Sequence, residues 1–265
     1  MKNKSAHIIS ISNQKGGVGK TTTAVNLSAC LSQLGCKVLL IDLDPQANAT
    51  MHLGYQKPDE ISSTIFDVLR QAINDDEKLS PADYIMNSQG IDFIPSNVDL
   101  AMMEASIVNA MCREVVLKRI LAPLKEKYDY IIIDTMPSLG LLTINAYAAS
   151  DSVIIPVGAD DFYSAKGLES LINTILNVRK QINPNLVIDG VLITKLNLRT
   201  SFSKILYEGI ENSYGNILKI FNSKIPISTK VAEMSSEGKT ILNYDPKGKV
   251  ATAYMELSKE VTQNG

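Results

Sequence analysis

Cysteine, histidine and excess positive charge are all scarce in this 265-residue chain. Its three cysteines, Cys30, Cys36 and Cys112, form no C-x-x-C pair and no cluster with histidine. They read as small apolar residues of a reducing compartment, which excludes a disulfide framework. The two histidines, His7 and His52, are isolated in sequence, so no metal site is built on them. Twenty-six Lys and Arg stand against 28 Asp and Glu, a net charge of −2. That balance excludes a global basic footprint, and any anionic polymer must meet a local patch. No apolar run approaches the ~20 residues of a membrane span. The opening "MKNKSAHIISIS" passes at once into a strand pattern instead of a signal peptide. Internal repeats, low-complexity blocks and linkers are also missing, so the expectation is one domain over residues 1–265, in the cytoplasm.

What is present is a regular alternation of strand and helix signals. Short, nearly continuous Ile/Val/Leu runs occur at 7–12, 37–44, 91–96, 128–137, 151–158, 188–196 and 218–226. Such runs suit strands buried on both faces, as in parallel sheets. Helical spacing is read at 20–35, with Gly35 as its C-cap, and at 114–128, 165–182 and 247–263. Residues 56–63 and 74–83 read as surface loops, and the charge run 75–78 as a solvated face. The expected fold class is α/β: a doubly wound, mostly parallel sheet flanked by helices, with right-handed crossovers.

The segment "ISNQKGGVGKTTT" (11–23) lies between the first strand and the first helix. It is a variant of the phosphate-loop pattern G-x-x-x-x-G-K-[ST], with Gln14 where the first glycine belongs and an additional lysine, Lys15. Gly16, Gly17 and Gly19 allow successive backbone N–H groups to point inward, and the helix N-terminus adds its dipole. Lys20 reaches the β- and γ-phosphates of a nucleotide, and the Thr21 hydroxyl is set to ligate Mg2+. Two strand ends carry carboxylates: Asp42 and Asp44 in "LLIDLDPQANAT", expected on one face of an extended strand, and Asp134 in "YIIIDTMPS". In a parallel sheet these ends lie at the edge of the phosphate loop. Asp134 reads as the carboxylate that holds Mg2+ through water.

These motifs resemble those of the ParA/Soj-type partition ATPases, within the ParA/MinD group that carries a deviant Walker A loop. "LLIDLDPQANAT" is similar to that family's "LIDLDPQGNAT", and "IIIDTMPSLGLLTINAYAASD" to "IIIDCPPSLGLLTINAL". "FIPSNVDLAMMEASI" and the stretch from Lys224 to Val261 also resemble family segments, so the likeness spans essentially the whole chain. Ala47 stands where the family has glycine, Met136 where it has proline, and Ile227 where it commonly has arginine. Residues 155–168 also depart from the family pattern.

The resemblance implies an ATPase using ATP and Mg2+, with Lys15, Lys20 and Asp44 as catalytic residues. Lys15 would cross a dimer interface to the neighbour's phosphates, and Asp44 would position or activate the attacking water. The nucleotide would be bound by Lys15, Gly16, Gly17, Val18, Gly19, Lys20, Thr21 and Thr22. Pro226 and Ser228, with Asn197, would neighbour its base or ribose. Thr21 and Asp134 would hold the metal.

The implied partners are a second copy of the chain in an ATP-dependent homodimer, non-specific double-stranded DNA and a ParB-like centromere-binding protein. The implied location is cytoplasmic and nucleoid-associated, with no membrane partner. From residue 195 to 265 ten Lys and Arg face seven Asp and Glu, a mildly basic segment. Arg199, Lys204, Lys224 and Lys230 are its DNA candidates. A membrane-cycling relative of MinD type needs a basic amphipathic C-terminal helix, and "SKEVTQNG" does not supply one. A reductase of nitrogenase iron-protein type needs cluster-bridging cysteines, which Cys112 does not match. No helix-turn-helix extension precedes the loop, which argues against sequence-specific operator binding.

Overall fold

A computed structural model describes residues 5–74, 79–160 and 167–264. In chain order the elements are β1 (His7–Ile11), α1 (Lys20–Gln33), β2 (Val38–Leu43), α2 (Asn48–His52), α3 (Ile65–Asn74), α4 (Pro81–Tyr84), β3 (Met86–Ser88) and β4 (Ile91–Ile94). There follow α5 (Met103–Ile107), α6 (Val116–Leu121), β5 (Tyr130–Thr135), α7 (Leu141–Ala149), β6 (Ser152–Gly158) and α8 (Leu168–Gln181). The last are β7 (Val187–Thr194), α9 (Ser201–Tyr214), α10 (Thr229–Ser236), α11 (Ile241–Tyr244) and α12 (Lys249–Asn264).

The strands form one seven-stranded sheet in the order β3-β4-β2-β5-β1-β6-β7. Every pairing is parallel except β3 with β4 at the edge. The β2, β5 and β6 strands are buried along their whole length, which is why their sequences are unbroken apolar runs and do not alternate. Successive side chains still divide between the two faces. Ile9, Leu40 and Ile132 pack with α1 and α12, whereas Ile8, Leu39, Ile41, Ile131 and Ile133 pack with α3, α6 and α7. Asp42 and Asp134 fall in register with each other, each two residues beyond an α1-facing residue, so both carboxylates point to the α1 layer.

Helix α1 is buried on most of its surface because α12 covers the side that the sheet leaves open. Its end shows why Gly35 is there. With φ 88 it donates its N–H to Ser32, while Cys36 donates to Leu31. That is the paired closure of a helix by a left-handed glycine.

Several expected elements differ. The run 218–226 is not a strand. It forms two isolated bridges, Ile220 beside Val191 and Pro226 beside Leu196, and a few separate backbone bonds such as Ile225 N–H to the Ile193 carbonyl, without a continuous ladder. The N–H groups of Asn222 and Ser223 go to the Glu260 carboxylate, and Pro226 has no donor for a ladder. The helix expected over 114–128 is confined to α6, because Pro123 lacks the N–H that would continue it. The β2 strand ends at Leu43, so Asp44 lies in the following turn and not on the strand. Within 74–83, Pro81 starts α4, whose first turn is closed by a bond from Ser80 N–H to Asp83. Residues 75–78, and the start of the 165–182 helix, lie outside the described residues. No helix among the described residues is long and apolar enough to cross a membrane.

Candidate nucleotide site and basic groove

The loop from Ser12 to Gly19 leaves the central strand β1 and enters α1. Gly17 (φ 74) and Gly19 (φ 86) adopt the left-handed conformation that disfavours side chains. A Cβ on Gly16 or Gly17 would meet nothing within 4 Å, so this side of the loop is open to a ligand. The loop is braced from within. The Asn13 amide donates to the Pro156 carbonyl (2.7 Å) and its oxygen accepts from Lys15 N–H (3.0 Å). The Val18 carbonyl accepts from the Thr194 hydroxyl at the end of β7 (2.8 Å). Gln14, where the ordinary loop begins with glycine, donates to Ser170 on α8 (3.2 Å).

Lys20 is buried, and its ammonium donates to the Lys15 carbonyl (2.9 Å). Burial pushes its pKa down, and the charges of Asp134 and Asp44 oppose that shift. Asp134 is fully buried. Burial and the Asp42 carboxylate hold its pKa well above the usual range, while the Thr21 hydroxyl and Lys20 pull it back. Thr21 is close enough to exert this pull, yet neither Asp134 oxygen has a partner at full hydrogen-bond geometry among the described residues. Two bare, buried carboxylate oxygens beside a threonine hydroxyl fit a hard divalent cation that takes oxygen ligands. Thr21 and Asp134 are therefore the residues that would hold Mg2+, which would neutralise charge on bound phosphates.

Asp42 has a different part. Its carboxylate accepts from Thr50 N–H (2.8 Å), the Thr50 hydroxyl (2.7 Å) and Asp44 N–H (3.3 Å). Burial pushes its pKa up to about 7 against the bonds from Thr50. Asp42 thus fastens α2 and the turn that carries Asp44. In that turn the Asp44 carboxylate accepts from Gln46 N–H (2.9 Å), and Ala47 takes a left-handed φ of 52. Glycine would adopt that conformation without a steric penalty.

The loop and the Asp44 turn line a cavity of about 500 Å3, with the Asp42 and Asp134 carboxylates buried behind its lining. Gly16, Gly17, Gly19, Lys20, Thr21, Thr22 and Asp44 form its polar end. Pro226, Ile227, Ser228, Val231 and Ala232, with Tyr254 from α12, form a more apolar wall. His52 and Asn48 reach it from α2. Tyr254 is joined to α1 by a hydroxyl bond to Thr23 (3.2 Å). Asn197 lies outside this cavity, in an adjoining groove of about 740 Å3.

That groove also holds Arg199, Lys224, Lys247 and Lys249, against the single acidic Glu256. Pro226 and Ile227 line both spaces, so the groove and the cavity share a wall. Lys224 lies over the Tyr207 ring, 5.0 Å from its centroid. Lys204 is exposed on α9 but does not line the groove. Lys230 is paired with Glu233 (3.2 Å) on α10 and lies over Tyr244. Lys247 and Lys249 had no individual signal in the sequence beyond their positive charge, because only the turn into α12 brings them beside Arg199.

A family model described as an AAA domain matches residues 6–188. The chain is 45% identical to the sporulation initiation inhibitor protein Soj of Bacillus subtilis over 97% of its length and 99% of Soj. It is 41% identical to the chromosome partitioning protein ParA of Myxococcus xanthus, over 96% of this chain and 87% of that one. Among solved structures, cobyrinic acid a,c-diamide synthase of Mycobacterium smegmatis with bound ADP and magnesium superposes with a TM-score of 0.84 at 32% identity. That match covers 98% of this chain and 95% of the synthase.

Proposed function

We propose that this chain, which belongs to the Soj/ParA family of P-loop ATPases, is a single-domain, Mg2+-dependent DNA-partition ATPase. ATP binding by the loop 15–22 drives two copies into a sandwich dimer, with Lys15 of each copy serving the phosphates held by the other. The dimer binds double-stranded DNA without sequence preference. A ParB-like partner and DNA stimulate slow hydrolysis, which returns the chain to monomers. The protein works in the cytoplasm, on the nucleoid.

The observation that carries this reading is the junction of the two spaces. Lys20 and Thr21 line the cavity where the nucleotide phosphates would lie, and the basic groove begins on the other side of Pro226 and Ile227. A ligand in one space therefore bears on the wall of the other. The higher identity to Soj than to the diamide synthase supports partition over synthesis of a small molecule. Each dimer presents the groove twice, so modest phosphate contacts combine.

Sedimentation of the chain alone, with MgATP, and with MgATP plus DNA tests the reading. Monomer, dimer and dimer–DNA complex are the respective expectations. A chain that stays monomeric with MgATP and ignores DNA overturns it.

A further inference from the structure

The β3–β4 hairpin turns through two residues, Gln89 and Gly90, between the paired Ser88 and Ile91. Both have positive φ, 53 and 79. A turn of this kind favours asparagine, aspartate or glycine at its first position. Glutamine in a left-handed conformation is strained there, and retained strain calls for a compensating role.

That role is visible in the side chain. The Gln89 amide oxygen accepts from Thr240 N–H (2.8 Å) and from the Asn243 amide (2.8 Å), and its nitrogen donates to the Gly238 carbonyl (3.0 Å). These three bonds seize the turn that follows α10. The preceding residue does the same for α2, because the Ser88 hydroxyl donates to the Leu53 carbonyl at that helix's end (2.7 Å). The two helix ends also touch. Each closes on a left-handed glycine, Gly54 (φ 99) and Gly238 (φ 62). A Cβ on Gly238 would stand 2.6 Å from the Gly54 Cα, backbone that cannot yield cheaply.

Both helices wall the nucleotide cavity. His52 projects from the last turn of α2, and Val231, Ala232 and Ser235 from α10. The middle of α2, at Thr50, is fastened to Asp42 next to the Asp44 turn. Lys230 lies on α10 as well, paired with Glu233.

We propose that Gln89 is a positioning residue that sets the width of the nucleotide cavity, by clamping the end of α10 against the end of α2. The clamp makes the Asp44 turn and the α10 wall one unit, so ATP meets a gap of fixed size. This role for Gln89 rests on the nucleotide reading of the cavity.

Two variants separate the clamp from mere turn stability. Gln89→Asn gives the turn a residue it prefers but shortens the side chain by one methylene, so the three bonds cannot form together. Gln89→Glu keeps both accepted bonds but turns the donated one into a repulsion between a carboxylate oxygen and the Gly238 carbonyl. The measurements are MgATP affinity by calorimetry and unfolding midpoint in urea. Gln89→Asn is expected to weaken MgATP roughly 2- to 30-fold with little change in midpoint, because the better turn residue offsets much of the lost bonding, and Gln89→Glu is expected to weaken MgATP as well. The proposal is overturned if Gln89→Asn binds MgATP as tightly as the wild type. It is equally overturned if affinity and midpoint fall together in both variants, which is what a purely structural residue would give. A wild-type chain that does not bind MgATP overturns the nucleotide reading itself, a result separate from either of these.

Discussion

The ammonium of Lys20 donates to the backbone carbonyl of Lys15, 2.9 Å away. The two lysines of the loop are thus joined through main chain, and the one proposed to serve the nucleotide holds the backbone of the other. This separates their expected effects on substitution. Lys20→Ala removes a charged hydrogen-bond donor from the site and should weaken ATP by at least roughly 10- to 150-fold in calorimetry. Lys15→Gln keeps the carbonyl that Lys20 uses. It should bind ATP within a few-fold of the wild type yet fail to dimerise in light scattering.

Asp44→Ala should leave ATP binding nearly intact, because Lys20, Thr21 and the loop amides remain. If Asp44 positions or activates the attacking water, as proposed, its loss should slow hydrolysis roughly 10²- to 10⁴-fold. The proposed ATP-bound dimer should then accumulate, and both effects are read from phosphate release and sedimentation of the same sample. A variant that hydrolyses ATP at the normal rate would remove Asp44 from the mechanism.

His52 gives the fold a defined response to acid. Burial lowers its pKa to about 4 from an ordinary value near 6.5, and its Nδ1 has no hydrogen-bond partner among the described residues. The unfolded chain binds this proton more readily than the folded one. Its contribution is therefore complete above about pH 6.5 and is lost as pH falls towards 4, by roughly 3 kcal/mol in all. Urea unfolding of the wild type and His52→Gln at pH 7 and pH 4.5 should show the wild type losing more stability by about 2–3 kcal/mol.

Charge reversal in the groove should act through salt. Arg199→Glu or Lys249→Glu should weaken DNA binding at all sequences and reduce the slope of log K against log salt by about 1 for each phosphate left without its cation. Lys230→Glu should act more weakly if its pairing with Glu233 persists on DNA. Dimerisation with MgATP should be unchanged in each, which separates weakened DNA binding from a damaged fold.

The strands that carry chemistry were legible in the sequence because burial on both faces leaves an unmistakable signal. β1, β2 and β5 lie close to their expected bounds, and their ends bring the loop, the Asp44 turn and Asp134 to one edge. What the sequence hid is what depends on distant partners. The run 218–226 has a strand's composition, but Glu260 takes the N–H groups of Asn222 and Ser223 from 38 and 37 residues away and so interrupts any ladder. Asp42 and Asp44 look alike in "IDLD", and only the fold separates an anchor for Thr50 from a residue lining the cavity. Asn197 lines the groove and not the cavity, a placement that its sequence neighbourhood does not reveal.

The bond between Thr23 and Tyr254 joins residues 231 positions apart. It has a consequence for the growing chain. The phosphate loop is made first, while the wall facing it, from Ile225 to Tyr254, is made near the end. At translation speeds of about 5–20 residues per second, some 10–50 s separate the two. Throughout that interval the nascent polypeptide carries the loop but no closed cavity. Prematurely terminated products should therefore be unable to sequester ATP, and nucleotide should not aid folding until synthesis is almost finished.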